Sequence, residues 1–295
     1  LAANWPRVVI LIAASWLSLP AIAQPKWVAV DTKPVVICPV TELVACLNVI
    51  PANLRPLAAL QPQTIRHNLG LKTAMVLHIG QSELFGMVVF NQQQSREKSV
   101  VMIDSITYQL PLLQQTQLSI WHELGHLHNI DLQGSVLPTH LSAYQHEWLA
   151  DMYLYWRLAQ LENGEQLVWQ QLHRRNLALI NHRDNIGHWS APQLQRLLAL
   201  FPSEKMQTYT SYAQFVADAY PQMPNWNDSD LAEFASLVQR TFADPLAMPL
   251  PRYLFWRQPV LISVLTPTLN TLMGEGHTRQ WLAQQFATPE QHKSL

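Results

Sequence analysis

Three runs rich in β-branched and apolar residues, at 73–79, 84–91 and 100–106, are punctuated by Gly80, Gly86 and the polar segment 92–99. This pattern predicts strands, with the latter two forming a hairpin around a polar tip. Beyond them the spacing becomes helical. Pro111 can open a helix over 112–128, since its missing N–H is not needed in a first turn. Leu113, Leu118, Trp121, Leu124 and Leu127 give that helix a broad apolar surface, and Asn129, Asp131 and Gly134 end it. Ser142 and Gln145 have capping-box spacing and begin a second helix with Leu149, Met152, Tyr153 and Trp156 as its stripe, closed by Asn163-Gly164. Further helices are predicted near 165–180, 191–200, 212–220, 228–242 and 278–286. A small sheet ahead of a helical body is an α+β plan, with no internal repeat.

The first two helices carry the chemistry. His122-Glu123-Leu124-Gly125-His126 places two imidazoles four positions apart, one above the other on one helix face, where they can grip one metal ion. Glu123 stands beside that metal without occupying a coordination position, as a general base must. Glu147 offers a third ligand and leaves a fourth position open. Asp151, four residues on, lies on the same face as Glu147 and can fix the tautomer of a histidine ligand. Taken singly, these residues also fit ordinary polar helix faces, but a Glu-x-x-x-Asp soon after HELGH makes that coincidence harder to sustain. Gly125 costs about 1 kcal/mol of helix propensity relative to alanine, and lets another segment or a ligand approach closely.

The two helices resemble those of gluzincins, the thermolysin-like zinc metallopeptidases, over about a tenth of the chain. The resemblance implies a zincin-like α+β fold, Zn2+ held by His122, His126 and Glu147, Glu123 as base, and Asp151 supporting a ligand. His146 stands where these enzymes commonly have Asn before the ligand glutamate. A metzincin would need Gly and His where Asn129 and Leu132 stand, so that class is excluded. His128, His140, Asp131 and His146 are substitute ligands of lower rank, His146 first among them. Asp184, Asn185, Gly187 and His188 loosely echo the segment that presents an oxyanion-binding histidine in the family. His188 also reads as a surface residue ahead of a helix capped by Ser190 and Gln193.

Composition narrows the setting. Of 295 residues, 48 % are apolar and 13 % charged, with a formal net charge of −1 and no Lys/Arg block, so electrostatic capture of nucleic acid is not indicated. Arg7, the apolar stretch 8–19 and Ala21-Ile22-Ala23 form a secretory signal over 1–23, cut before Gln24; an uncleaved anchor is the alternative. The later apolar stretch 253–265 follows Arg252 and is interrupted by Arg257 and Pro259, unlike a membrane span. Cys38 and Cys46, the sole cysteines, suit a local disulfide in an oxidising compartment, free buried thiols being the alternative.

These observations predict a secreted or periplasmic zinc metallopeptidase acting on a peptide or protein substrate. Residues 24–160 form its catalytic core and 161–295 a mostly helical part. Strand 84–91 is the expected edge that holds substrate by strand addition. A zinc-bearing binding or scaffolding protein without turnover, and a metal-independent helical protein, are the competing readings.

Overall fold

The computed structural model describes residues 25–242 and 252–286; the secretory signal predicted over 1–23 lies outside them. The chain begins with strands β1 (Lys26–Val30) and β2 (Lys33–Pro39), then helices α1 (Leu43–Asn48) and α2 (Pro62–Leu69). Strands β3 (Ala74–Gln81), β4 (Leu84–Phe90), β5 (Lys98–Ile103) and β6 (Ile106–Pro111) follow. The rest is helical: α3 (Gln115–Leu132), α4 (Ala143–Leu158), α5 (Gly164–Asn181), α6 (Ala191–Leu200), α7 (Ser203–Met206), α8 (Tyr212–Ala219), α9 (Asp228–Phe242), α10 (Gln258–Met273) and α11 (Glu275–Gln285). The fold is α+β, a mixed sheet followed by helices.

The sheet has the order β1-β2-β4-β3, with β2 parallel to β4 and the other neighbours antiparallel. β4 is apolar throughout and almost wholly buried because both faces are covered. Val88 faces the large core beneath α3, together with Val35 and Ile37 of β2. Met87 and Val89 face a smaller core closed by Leu43 and Cys46 of α1 and Ile65 and Leu69 of α2. The Cys38–Cys46 disulfide ties α1 to β2 inside that smaller core, with a Cα–Cα distance of 6.0 Å. Closing so short a loop contributes about 2–3 kcal/mol.

Three sequence expectations fail here. Strands 84–91 and 100–106 do not form a hairpin; β4 lies between β2 and β3, and β5 turns back onto β6. The β5–β6 turn uses Asp104 and Ser105 at φ 47° and 64°, a left-handed pair without glycine that leaves little mark in the sequence. Pro111 does not open the helix but closes β6, a strand end that tolerates a missing N–H. Helix α3 starts four residues later, after Gln114 in the left-handed region at φ 53°. Asn163 likewise does not close α4, which ends at Leu158, but precedes α5 at φ 61°.

Helix α10 was not predicted, since Pro259 and Pro267 interrupt its periodicity. Pro259 occupies the first turn. Pro267 deprives the Ser263 carbonyl of its helical donor, and Gln195 Nε2 of α6 supplies one at 3.0 Å. The central helix α5 then grips α10: Asn176 Nδ2 donates to Val264 O at 3.0 Å and to Thr268 Oγ1 at 2.8 Å. His173 Nδ1 meets Thr268 Oγ1 at 2.9 Å. Among the described residues no helix is long and apolar enough to cross a membrane.

Burial pushes the His173 imidazole down to about 4. Between that value and the ordinary 6.5 the unfolded chain binds a proton that the folded chain does not, so stability falls as pH drops through this window. Urea titrations of chelator-treated protein should show the loss between pH 6.5 and 4, with His173 contributing on the order of 2–3 kcal/mol. His173→Gln should flatten that dependence, and an unchanged pH profile in the variant would contradict the assignment.

Candidate metal centre

Helix α3 turns Gln115, Ser119, His122, Glu123, His126 and Ile130 along one side of a cleft of about 600 Å³. α4 crosses α3 at Gly125, where an added Cβ would lie 2.8 Å from the Ala150 carbonyl oxygen and 3.0 Å from Tyr153 Cβ. The glycine therefore admits another segment, and that segment carries Glu147. The capping box of Ser142 and Gln145 forms as its spacing predicts and fixes the start of α4 at Ala143, four residues ahead of Glu147. His122 Nε2 lies 3.3 Å from Glu147 Oε2, and His126 Nε2 lies 3.8 Å from Glu147 Oε1.

One atom from each of His122, His126 and Glu147 falls within 4.8 Å of the others, a group that could hold a metal ion. Donors about 2.0–2.2 Å from a tetrahedral zinc sit roughly 3.3–3.6 Å apart, a spacing that the His122–Glu147 contact of 3.3 Å already meets. Glu147 Oε2 is buried without a hydrogen-bond partner, as a carboxylate oxygen reserved for a metal would be. Burial alone would raise the Glu147 pKa, but His122, His188 and His126 hold it down to about 2, so it is ionised. Burial and the neighbouring His122 push His126 down to about 3, leaving a neutral imidazole. Burial raises Glu123, which lines the same cleft, above the ordinary carboxyl range.

His122 is oriented from behind. Its Nδ1 lies 2.8 Å from Asp151 Oδ1, so an N–H there donates to the carboxylate and leaves Nε2 free to coordinate. Arg175 Nη2 also lies 3.3 Å from this nitrogen, but two donors cannot bond, and the shorter carboxylate contact decides the tautomer. Without a metal, burial would lower the His122 pKa, yet Asp151 and Glu147 outweigh it and push it up to about 9. A dication at Nε2 would displace that proton.

Asp151 is fully buried. Besides His122 it accepts from Gln171 Nε2 at 3.0 Å, from Arg175 Nε at 2.7 Å and Nη2 at 3.0 Å, and from the Ser190 hydroxyl. Burial opposes its charge, but Arg175 and His122 hold its carboxyl well below the usual range. The partners Gln171, Arg175 and Ser190 were missed in the sequence. Gln171 and Arg175 are spaced i, i+4 on α5, a polar pair inside an apolar stripe that could have drawn notice.

His188 ends a 3₁₀ segment, Arg183–His188, and brings Nε2 to 3.5 Å from Glu147 Oε2 at the cleft wall. Its side chain is 55 % exposed, so it stands at the mouth of the cleft. Asp184 does not support it; that carboxylate pairs with His182 and Arg183 in solvent. Nor do Ser190 and Gln193 form a capping box, since Ser190 serves Asp151 and Gln193 Nε2 donates to Tyr144 Oη at 2.9 Å. Of the substitute ligands, His146 lines the cleft outside the three-residue group. His128 stacks on Tyr153 in a different cavity, Asp131 pairs with Lys33, and His140 is exposed.

The chain matches no protein-family model, no curated protein and no solved structure. The geometry therefore carries the assignment. His122→Ala, His126→Ala and Glu147→Ala should each abolish stoichiometric binding of a divalent transition metal, as read by elemental analysis after dialysis. Asp151→Asn should weaken binding about 10- to 100-fold, because it loosens the orientation of His122 rather than removing a ligand. Full metal content in all three alanine variants would refute the site.

Proposed function

We propose that this protein is an exported zinc metallopeptidase of the gluzincin type, with His122, His126 and Glu147 holding Zn2+ and Glu123 as general base. The observation that carries the reading is the ligand group lying in one cleft with a carboxyl of raised pKa that is not itself a ligand. When bound, zinc supplies a Lewis acid that polarises a peptide carbonyl and lowers the pKa of a water towards about 7. Glu123 takes the proton of the attacking water and delivers it to the leaving amine. His188 donates a hydrogen bond to the carbonyl oxygen as negative charge develops on it. Asp151, fixed by Arg175, Gln171 and Ser190, keeps His122 in the coordinating tautomer.

Substrate binding requires a correction. Strand 84–91 is central in the sheet and its backbone is already paired on both sides. The edge strand that borders the cleft is β3, with Ala74, Met75 and Val76 among the lining residues. An extended peptide adding to β3 would lie across the cleft above α3. The Cys38–Cys46 disulfide is consistent with an extracytoplasmic location, in keeping with the signal over 1–23.

Glu123→Gln should retain zinc and fold while peptide cleavage falls by orders of magnitude, since an amide cannot accept the water's proton. A wild-type protein that binds zinc yet cleaves nothing in a broad peptide library would favour the binding-protein alternative instead. For His188→Ala the expected result is a turnover number lower by roughly 10²- to 10³-fold with zinc content unchanged. Steady-state kinetics near wild type would remove His188 from the mechanism.

A further inference from the structure

Arg174 stands out among the charged groups of the cleft. Its neighbours on α5 are committed: Gln170 clamps Leu113 by accepting from N at 2.8 Å and donating to O at 2.9 Å, while Gln171 and Arg175 hold Asp151. Among the described residues Arg174 itself donates only from Nε, to Gln171 Oε1 at 2.9 Å, and no carboxylate there forms an ion pair with it. Its terminal Nη groups thus have no acceptor among the described residues, although the residue is half-buried and lines the same cleft as the ligand group. Burial, together with the nearby cations Arg175 and Arg96, holds the guanidinium down to about 10. An arginine kept without a counterion in such surroundings suits an incoming anion, because its planar fork matches a carboxylate.

Strand direction says which part of a substrate reaches it. Thr73 Oγ1 donates to Gln94 O, and the segment from Gln92 to Glu97 lines a cavity with Gln114 and Gln115, so β3 starts near the start of α3. Farther along β3, His78 pairs with Gly86, where an added Cβ would lie 2.7 Å from Leu127 Cδ1, late in α3. β3 and α3 therefore run the same way. A peptide adding antiparallel to β3 points its C-terminal portion toward the α3 start, where Gln115, Lys72 and Arg174 line the cleft.

We propose that Arg174 is a specificity residue that receives a carboxylate on the C-terminal side of the scissile bond, either an acidic side chain or the substrate's terminal carboxylate. The proposal rests on the peptidase reading of the same cleft.

The test uses four mercaptoacetyl compounds whose thiolate anchors on the metal and whose single amino acid then occupies the C-terminal side. Glutamate amide is compared with glutamine amide, and leucine with a free carboxylate is compared with leucine amide. Dissociation constants are measured on the zinc-loaded full chain by calorimetry, with zinc counted by elemental analysis. A carboxylate should tighten binding about 10- to 100-fold in at least one pair, and the pair that responds identifies its source. Arg174→Gln should abolish the preference with zinc unchanged, and Arg174→Lys should keep part of it. Equal affinities within both pairs, or a preference that survives Arg174→Gln, would overturn the subsite while leaving the peptidase reading intact. A chain that binds no zinc would overturn that reading, and the subsite with it.

Discussion

A charged carboxylate with no solvent exposure is tolerated only where donors converge on it, and the centre of this protein is organised around that constraint at Asp151. Its partners come from α3, α5 and the residue that precedes α6, while Asp151 itself belongs to α4. Removing one member of a buried pair leaves an uncompensated charge at a cost of about 3–5 kcal/mol. The helices are therefore locked to one another by the same contact that orients His122. Packing at Gly125 sets how close α3 and α4 come, and the carboxylate sets how they are rotated.

This arrangement also shows why the helical part beyond residue 160 matters to the site. Gln171, Arg175, His188 and Ser190 all approach or support the candidate ligands on α3 and α4. The large core runs from Val30 of β1 to Trp281 of α11 without a break between the two portions. α5 is consequently both a core helix and one wall of the cleft, and its polar positions divide between gripping α10 and serving the centre.

Much of this was legible in the residues. The HELGH spacing, Glu147, Asp151 and the capping box at Ser142 are local patterns whose periodicity maps directly onto a helix face, and the structure brings them together. Helices 191–200 and 228–242 matched their predicted bounds because their apolar stripes are clean. Strand pairing was less legible, since apolar runs reveal burial but not neighbours; β4 found partners in β2 and β3 rather than in the next strand. Ser190 was misread because a serine three residues before glutamine carries the same local signature whether it caps a helix or reaches 39 residues back to a buried carboxylate. Helix α10 was hidden by two prolines, of which Pro259 sits harmlessly in the first turn and Pro267 is offset by a hydrogen bond from Gln195 of α6.

Two helices bring together His122, His126 and Glu147, the group proposed to hold one zinc ion. Anomalous diffraction from crystals grown with zinc, recorded on both sides of the zinc absorption edge, addresses that proposal most directly. The account predicts one strong anomalous peak per chain, about 2.0–2.2 Å from an imidazole nitrogen of each histidine and from a Glu147 oxygen. A peak bound elsewhere with this cleft empty, or coordination that leaves out Glu147 in favour of His146, would contradict it.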